Sequence, residues 1–180
     1  MQVRDAQREV RDVYLGGAVG QAVSGLIWLA SAACGTWLGP RQGILVLVVG
    51  GMFIFPLTQL VLRLGGRPAS LGPDNPLRAL AMQVAFTVPL ALPVIGAATL
   101  HRVEWFYPAF LVIVGAHYLP FIFLYGMWQY GVLAALMLAA GVGLGLSGPG
   151  GFSLGGWVGG AILLGFAAWT LAQRRRRPEA

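Results

Sequence analysis

Apolar residues fall in long runs along this chain, interrupted by short polar or glycine- and proline-rich breaks. Six runs are each near twenty residues: Tyr14–Leu38, Gly43–Leu64, Arg78–Leu100, Trp105–Leu124, Met127–Leu146 and Leu154–Ala172. A run of about twenty apolar residues, as a helix, crosses about 30 Å of hydrocarbon. Lipid offers no hydrogen bonds to the backbone, so such runs predict helices rather than open sheet. The expected fold is all-α, a polytopic bundle of six transmembrane helices spanning residues 14–172.

A different pattern precedes the first run. Val3, Ala6, Val10 and Val13 recur at helical spacing, with Arg4, Asp5, Arg8, Glu9, Arg11 and Asp12 between them. Residues 1–13 therefore read as an amphipathic helix lying on the inner leaflet or against another segment. The longest break, "GGRPASLGPDNP", carries three prolines and three glycines and reads as a loop ending in a turn. No linker separates domains within the spans.

Composition agrees with the pattern. Of the 180 residues 57% are apolar and 10% charged, where a soluble domain carries roughly a quarter charged. All twelve basic residues are arginine, and their placement sets an expected orientation. With the N-terminus cytoplasmic, ten arginines lie inside and only Arg41 and Arg102 outside. An even number of spans then brings the basic tail, residues 173–180 with Arg174 to Arg177, to the cytoplasmic side as well. That tail fixes topology, with contact to anionic lipid a secondary effect. The single cysteine, Cys34, forms no internal disulfide. "SAAC" before it has Ser31 where a lipoprotein cleavage site has an aliphatic residue.

Three segments, "YLGGAVGQAVSGLIWLASA", "NPLRALAMQVAFTVPLALP" and "WFYPAFLVIVGAHYLPFIFLYG", carry a likeness over nearly the whole chain. Through them the sequence resembles a family of uncharacterised small bacterial multi-pass membrane proteins. The resemblance implies a helical bundle in the bacterial inner membrane. The family has no assigned activity, so it implies no chemistry.

Depth along the spans gathers the polar residues. Gln21, Ser24, Gln59, Gln83 and His117 all fall in the predicted cytoplasmic half, on four different spans. Polar groups there turn toward protein or a water-filled cavity. Two readings follow: hydrogen bonds between helices, or a ligand-binding pocket open to the cytoplasm. Pro56, Pro89, Pro93, Pro108 and Pro120 free backbone carbonyls within the spans, as in helices that line transporter sites. His117 has no intramembrane carboxylate to pair with, which weighs against proton coupling. It reads either as a neutral histidine bonded to Gln83 or to a carbonyl beside Pro120, or as a ligand contact.

Small residues form packing faces at Gly16, Gly20 and Ser24, and at Gly155, Gly159 beside Gly156, Gly160. "GLGLSG" matches a dinucleotide fingerprint in letters alone, since no strand precedes it. His101 and Glu104 are two ligands, short of a zinc site. No catalytic motif supports Ser24 with His117 as an intramembrane protease, no cofactor is implied, and no aromatic-basic platform suggests nucleic acid. The partners expected are membrane lipids, a small-molecule or lipid ligand, and a second copy of the chain. Three function classes remain, in order: a small carrier, channel or lipid-binding protein; a packing or assembly partner; an intramembrane enzyme.

Overall fold

A computed structural model describes residues 2–148 and 150–176; Met1, Pro149 and the tail from Arg177 to Ala180 lie outside the described residues. The fold is all-helical, with no strand among the described residues. Seven α-helices follow in order: α1 Val3–Val13, α2 Ala18–Trp37, α3 Pro40–Leu64, α4 Leu77–His101, α5 Phe106–Tyr125, α6 Gln129–Ser147 and α7 Leu154–Arg176. The last six are long and apolar enough to cross a membrane.

Where the first expected span should begin, the backbone turns instead. Leu15, Gly16 and Gly17 all take positive φ, at 53°, 64° and 83°, so α2 starts only at Ala18. A Cβ at Gly17 would fall on the Tyr130 hydroxyl, which explains the need for glycine in that turn. Gly16 consequently lies in the turn and not on the α2 face with Gly20 and Ser24.

The bundle is packed unevenly. At α2 and α7, a Cβ on Gly160 would come 2.5 Å from Leu29 Cδ2 and 3.2 Å from the Gly25 carbonyl oxygen. At α5 and α6, a Cβ on Gly141 would come 2.8 Å from the Pro108 carbonyl oxygen. These helices meet nearly backbone to backbone, which glycine alone allows. Helix α3 meets α2 as closely at Gly43, where an added Cβ would come 2.9 Å from Gly35 Cα, while α4 packs on α5 and on the short turn Val103–Trp105 that follows it. Between α3 and α4 there is no substantial contact. Only 11% of the most apolar stretch of each is buried, against 44% for α2, α5 and α7.

The amphipathic helix α1 lies across one end of this bundle. Ala6, Val10 and Val13 are buried, and polar residues beside them tie down three neighbours. Gln7 Nε2 donates to the Phe123 carbonyl, and Arg11 Nη1 to the Tyr125 carbonyl at 2.6 Å. Both carbonyls belong to the last turn of α5, where the regular helical donors run out and the Gly126 N–H reaches back to Phe123 at 3.2 Å. Partial burial lowers the Arg11 pKa from its ordinary value, and the Asp12 carboxylate acts the other way. Glu9 accepts from the Gly72 N–H at 2.6 Å and from Asn75 Nδ2 at 2.9 Å, fastening the α3–α4 loop. Arg174 on α7 donates to the Arg11 carbonyl at 2.9 Å and pairs with Asp12 at 3.4 Å. This is the arginine-rich end of the molecule.

Candidate functional site

Because α3 leans on α2 and α4 on α5, the two pairs leave a gap between them. The gap deepens into a cavity of about 350 Å³ walled by α2, α3, α4 and α5, within the roughly 300–1,000 Å³ of small-molecule sites. Along α3 the wall runs from Leu47 to Thr58, eleven residues or about 16 Å of helix. Trp28, Leu47, Leu92 and Phe110 line its deep end, while Val10 and Tyr14 line the end that α1 covers. Lining residues on the outer edges are exposed: Met52 and Phe55 on α3 at 67% and 63%, Ala85 and Pro89 on α4. The cavity therefore opens sideways between α3 and α4. The pocket expected from the sequence opened at the arginine-rich end, and α1 lies across that route.

A second hollow, between Asp5, Arg8, Glu9, Asp12 and Arg67, is a broad surface groove in which carboxylates and guanidiniums face one another. It offers no convergent chemistry.

Of the five polar residues singled out by depth, three line the cavity: Gln21, Ser24 and His117. Gln21 is buried and bonded at both ends of its amide. Tyr118 Oη donates to its Oε1 at 3.1 Å, and its Nε2 donates to Tyr130 Oη at 3.3 Å. Tyr130 in turn donates to the Gly16 carbonyl at 2.9 Å, closing a chain from α5 through α2 and α6 to the left-handed turn. Ser24 lies beside the Tyr118 hydroxyl. The cavity's Thr58 donates to the Ile54 carbonyl at 2.7 Å. These groups are spent on the protein itself.

His117 is the exception. Its Nδ1 is buried with no hydrogen-bond partner among the described residues, a state shared only with Thr170 Oγ1 outside the cavity. The ring contacts the Val84 backbone of α4. Neither Gln83 nor the region of Pro120 supplies the bond that the sequence suggested. Gln83 is exposed on α4, and Gln59 is half-buried beside Tyr14, so neither lines the cavity.

Sequence reasoning passed over the tyrosines. Tyr118, Tyr125 and Tyr130 are buried in one aromatic cluster with Phe121, ring centroids 5.0–6.1 Å apart. A phenol deep in an apolar run needs a partner, and that signal was present in Tyr118 and Tyr130. The glycine faces are occupied within the chain: a Cβ on Gly155 would come 2.6 Å from Tyr107 Cβ, and one on Gly159 would overlap the Trp28 ring. Gly20 lines the cavity, its nearest neighbour being Thr58 at 3.8 Å from the added Cβ. Among the described residues no group of three His, Cys, Asp or Glu is placed to hold a metal.

No curated protein and no solved structure matches the chain. Its membership is nonetheless plain over almost its full length: residues 3–173 match the family described as "Family of unknown function (DUF7010)", and the chain belongs to that family.

Proposed function

We propose that this is a membrane-embedded binding protein of the bacterial inner membrane, which takes an apolar or amphiphilic molecule from the lipid phase into the cavity between α3 and α4. In this reading α1 and the arginine-rich end face the cytoplasm, as the segregation of arginines favours. The observation that carries the proposal is the sideways-opening cavity with the unpartnered His117 Nδ1 in its wall. Buried polar atoms are ordinarily paired, and an orphan in a cavity wall marks a place where a ligand supplies the partner. The assembly reading has less support. Tyr107, Trp28 and Leu29 already fill the space beside Gly155, Gly159 and Gly160, so those faces are not free for a second protein.

Gly51 provides the test. It lines the cavity, and a Cβ built there meets nothing within 4 Å. Gly51→Leu should take up part of the cavity and narrow it without displacing the helices. In native mass spectrometry of gently extracted protein, the wild type should carry a discrete bound mass and Gly51→Leu should lose it. A bound mass that survives the substitution, or an empty wild type, would contradict the proposal.

A further inference from the structure

A cavity that opens to lipid selects among hydrophobic molecules by what its polar groups can still bond. The inference here rests on the ligand-binding reading above and narrows it to a chemical class. Four donors around the cavity are committed to the protein. Tyr118 donates to Gln21, Gln21 to Tyr130, Tyr130 to Gly16, and Thr58 to Ile54. Around His117, acceptor capacity is left over. The His117 ring lies against the Val84 backbone, and its buried Nδ1 has no partner; with the N–H carried on Nε2, that nitrogen offers a lone pair. Two carbonyls on the cleft-lining stretches lack their helical donor. Pro56 removes the N–H that would serve Met52, and Pro89 the one that would serve Ala85.

Charge is missing from the same surface. No Arg, Lys, Asp or Glu lines the cavity, so an ionised headgroup would enter a low-dielectric wall without a counter-charge. From His117 to Phe110 is seven residues of α5, about 10 Å, and Trp28, Leu47, Leu92 and Phe110 make that stretch apolar. The geometry points to a neutral, hydroxyl-headed hydrocarbon as the ligand, its O–H donated to His117 Nδ1 and its chain lying along the stretch from His117 to Phe110. A free long-chain alcohol and a glyceride share that chemistry.

The test is thermal stabilisation of the purified, delipidated full chain in detergent, titrated with decanol, monodecanoylglycerol, decane, decanoate and decyltrimethylammonium. At least one of the two hydroxyl-headed probes should stabilise at a concentration at least about tenfold lower than decane or either ionic probe, a discrimination typical of one bond to a buried polar group. Which of the two does so identifies the source, alcohol or glyceride. His117→Leu should bring decanol to the level of decane, and His117→Asn, which keeps an acceptor, should retain part of the preference. If decane or an ionic probe stabilises the wild type as well as the hydroxyl-headed ones, the inference fails while ligand binding stands. If no probe stabilises it, the binding reading fails with it. Should His117→Leu not fold, the wild-type ranking of the hydroxyl-headed probes against decane decides alone.

Discussion

Two pairs of helices in this molecule are alike in length and apolar character and opposite in behaviour. Helices α2 and α7 meet through Gly25 and Gly160 with no room for a methyl group. Helices α3 and α4 are if anything more apolar, with mean hydropathies of 2.3 and 1.8 against 1.4 and 1.5, yet they stand apart. In water the more apolar pair would be the more deeply buried one. In lipid an apolar side chain gains little by leaving hydrocarbon for protein, so close contact depends on small residues and hydrogen bonds. The glycine crossings and the chain from Tyr118 through Gln21 to Tyr130 join α2, α5, α6 and α7, and the bond from Ser31 to the Gly43 carbonyl holds one end of α3 to α2. Helix α4 crosses no neighbour through its glycine, Gly96 facing nothing within 4 Å.

The largest effect should come from adding the same side chain to each region. Gly159→Leu drives a side chain into the Trp28 ring and should cost about 3 kcal/mol or more, enough to prevent folding. Gly51→Leu should leave the unfolding temperature of the delipidated protein unchanged or higher, since a helical glycine is replaced without a clash. Equal losses at both positions would remove the distinction between packed and open halves.

Next in size is the split between Gln21 and His117. Gln21→Leu removes the acceptor of the Tyr118 hydroxyl and the donor to Tyr130 and should cost about 1–2 kcal/mol in thermal unfolding. His117→Leu removes an unpartnered nitrogen and should be neutral or slightly stabilising in the delipidated protein. The opposite order would make His117 the structural residue of the two. Glu9→Gln weakens the acceptor for Gly72 and Asn75 and should cost about 1 kcal/mol. It should also speed thiol labelling at Ser70→Cys, in the loop that Glu9 fastens; an unchanged labelling rate would mean α1 does not hold that loop. The smallest effect belongs to Gln83→Ala, which should stay within about 0.5 kcal/mol because Gln83 is exposed.

The spans were readable in the sequence because hydropathy and length decide what can cross a bilayer, and the largest boundary differences are four residues, at the start of the first span and the end of the last. At the first, "YLGG" looks like a continuation of the apolar run, and nothing local to it announces that Leu15 to Gly17 turn left-handed against Tyr130. Depth gathered Gln21, Ser24 and His117, which line one cavity, together with Gln59 and Gln83, which do not. Depth is height along a helix and carries no rotation. A soluble helix reveals its rotation through a polar stripe. A helix such as α4, apolar all round, has none, so Gln83 at the right height points away from the cavity. The sideways opening was hidden for a related reason: it depends on α3 and α4 failing to meet, and separation leaves no residue pattern of its own.

The central claim is that the cavity communicates with lipid and not with water at the arginine-rich end. A spin label on Gly51→Cys, with the half-buried Cys34 changed to alanine, would test it in lipid nanodiscs. Electron paramagnetic resonance then compares collisions with oxygen, which concentrates in the bilayer, and with a water-soluble nickel chelate. The account predicts strong relaxation by oxygen and little by nickel. Strong relaxation by nickel would contradict it, placing water in the cavity and the opening past α1.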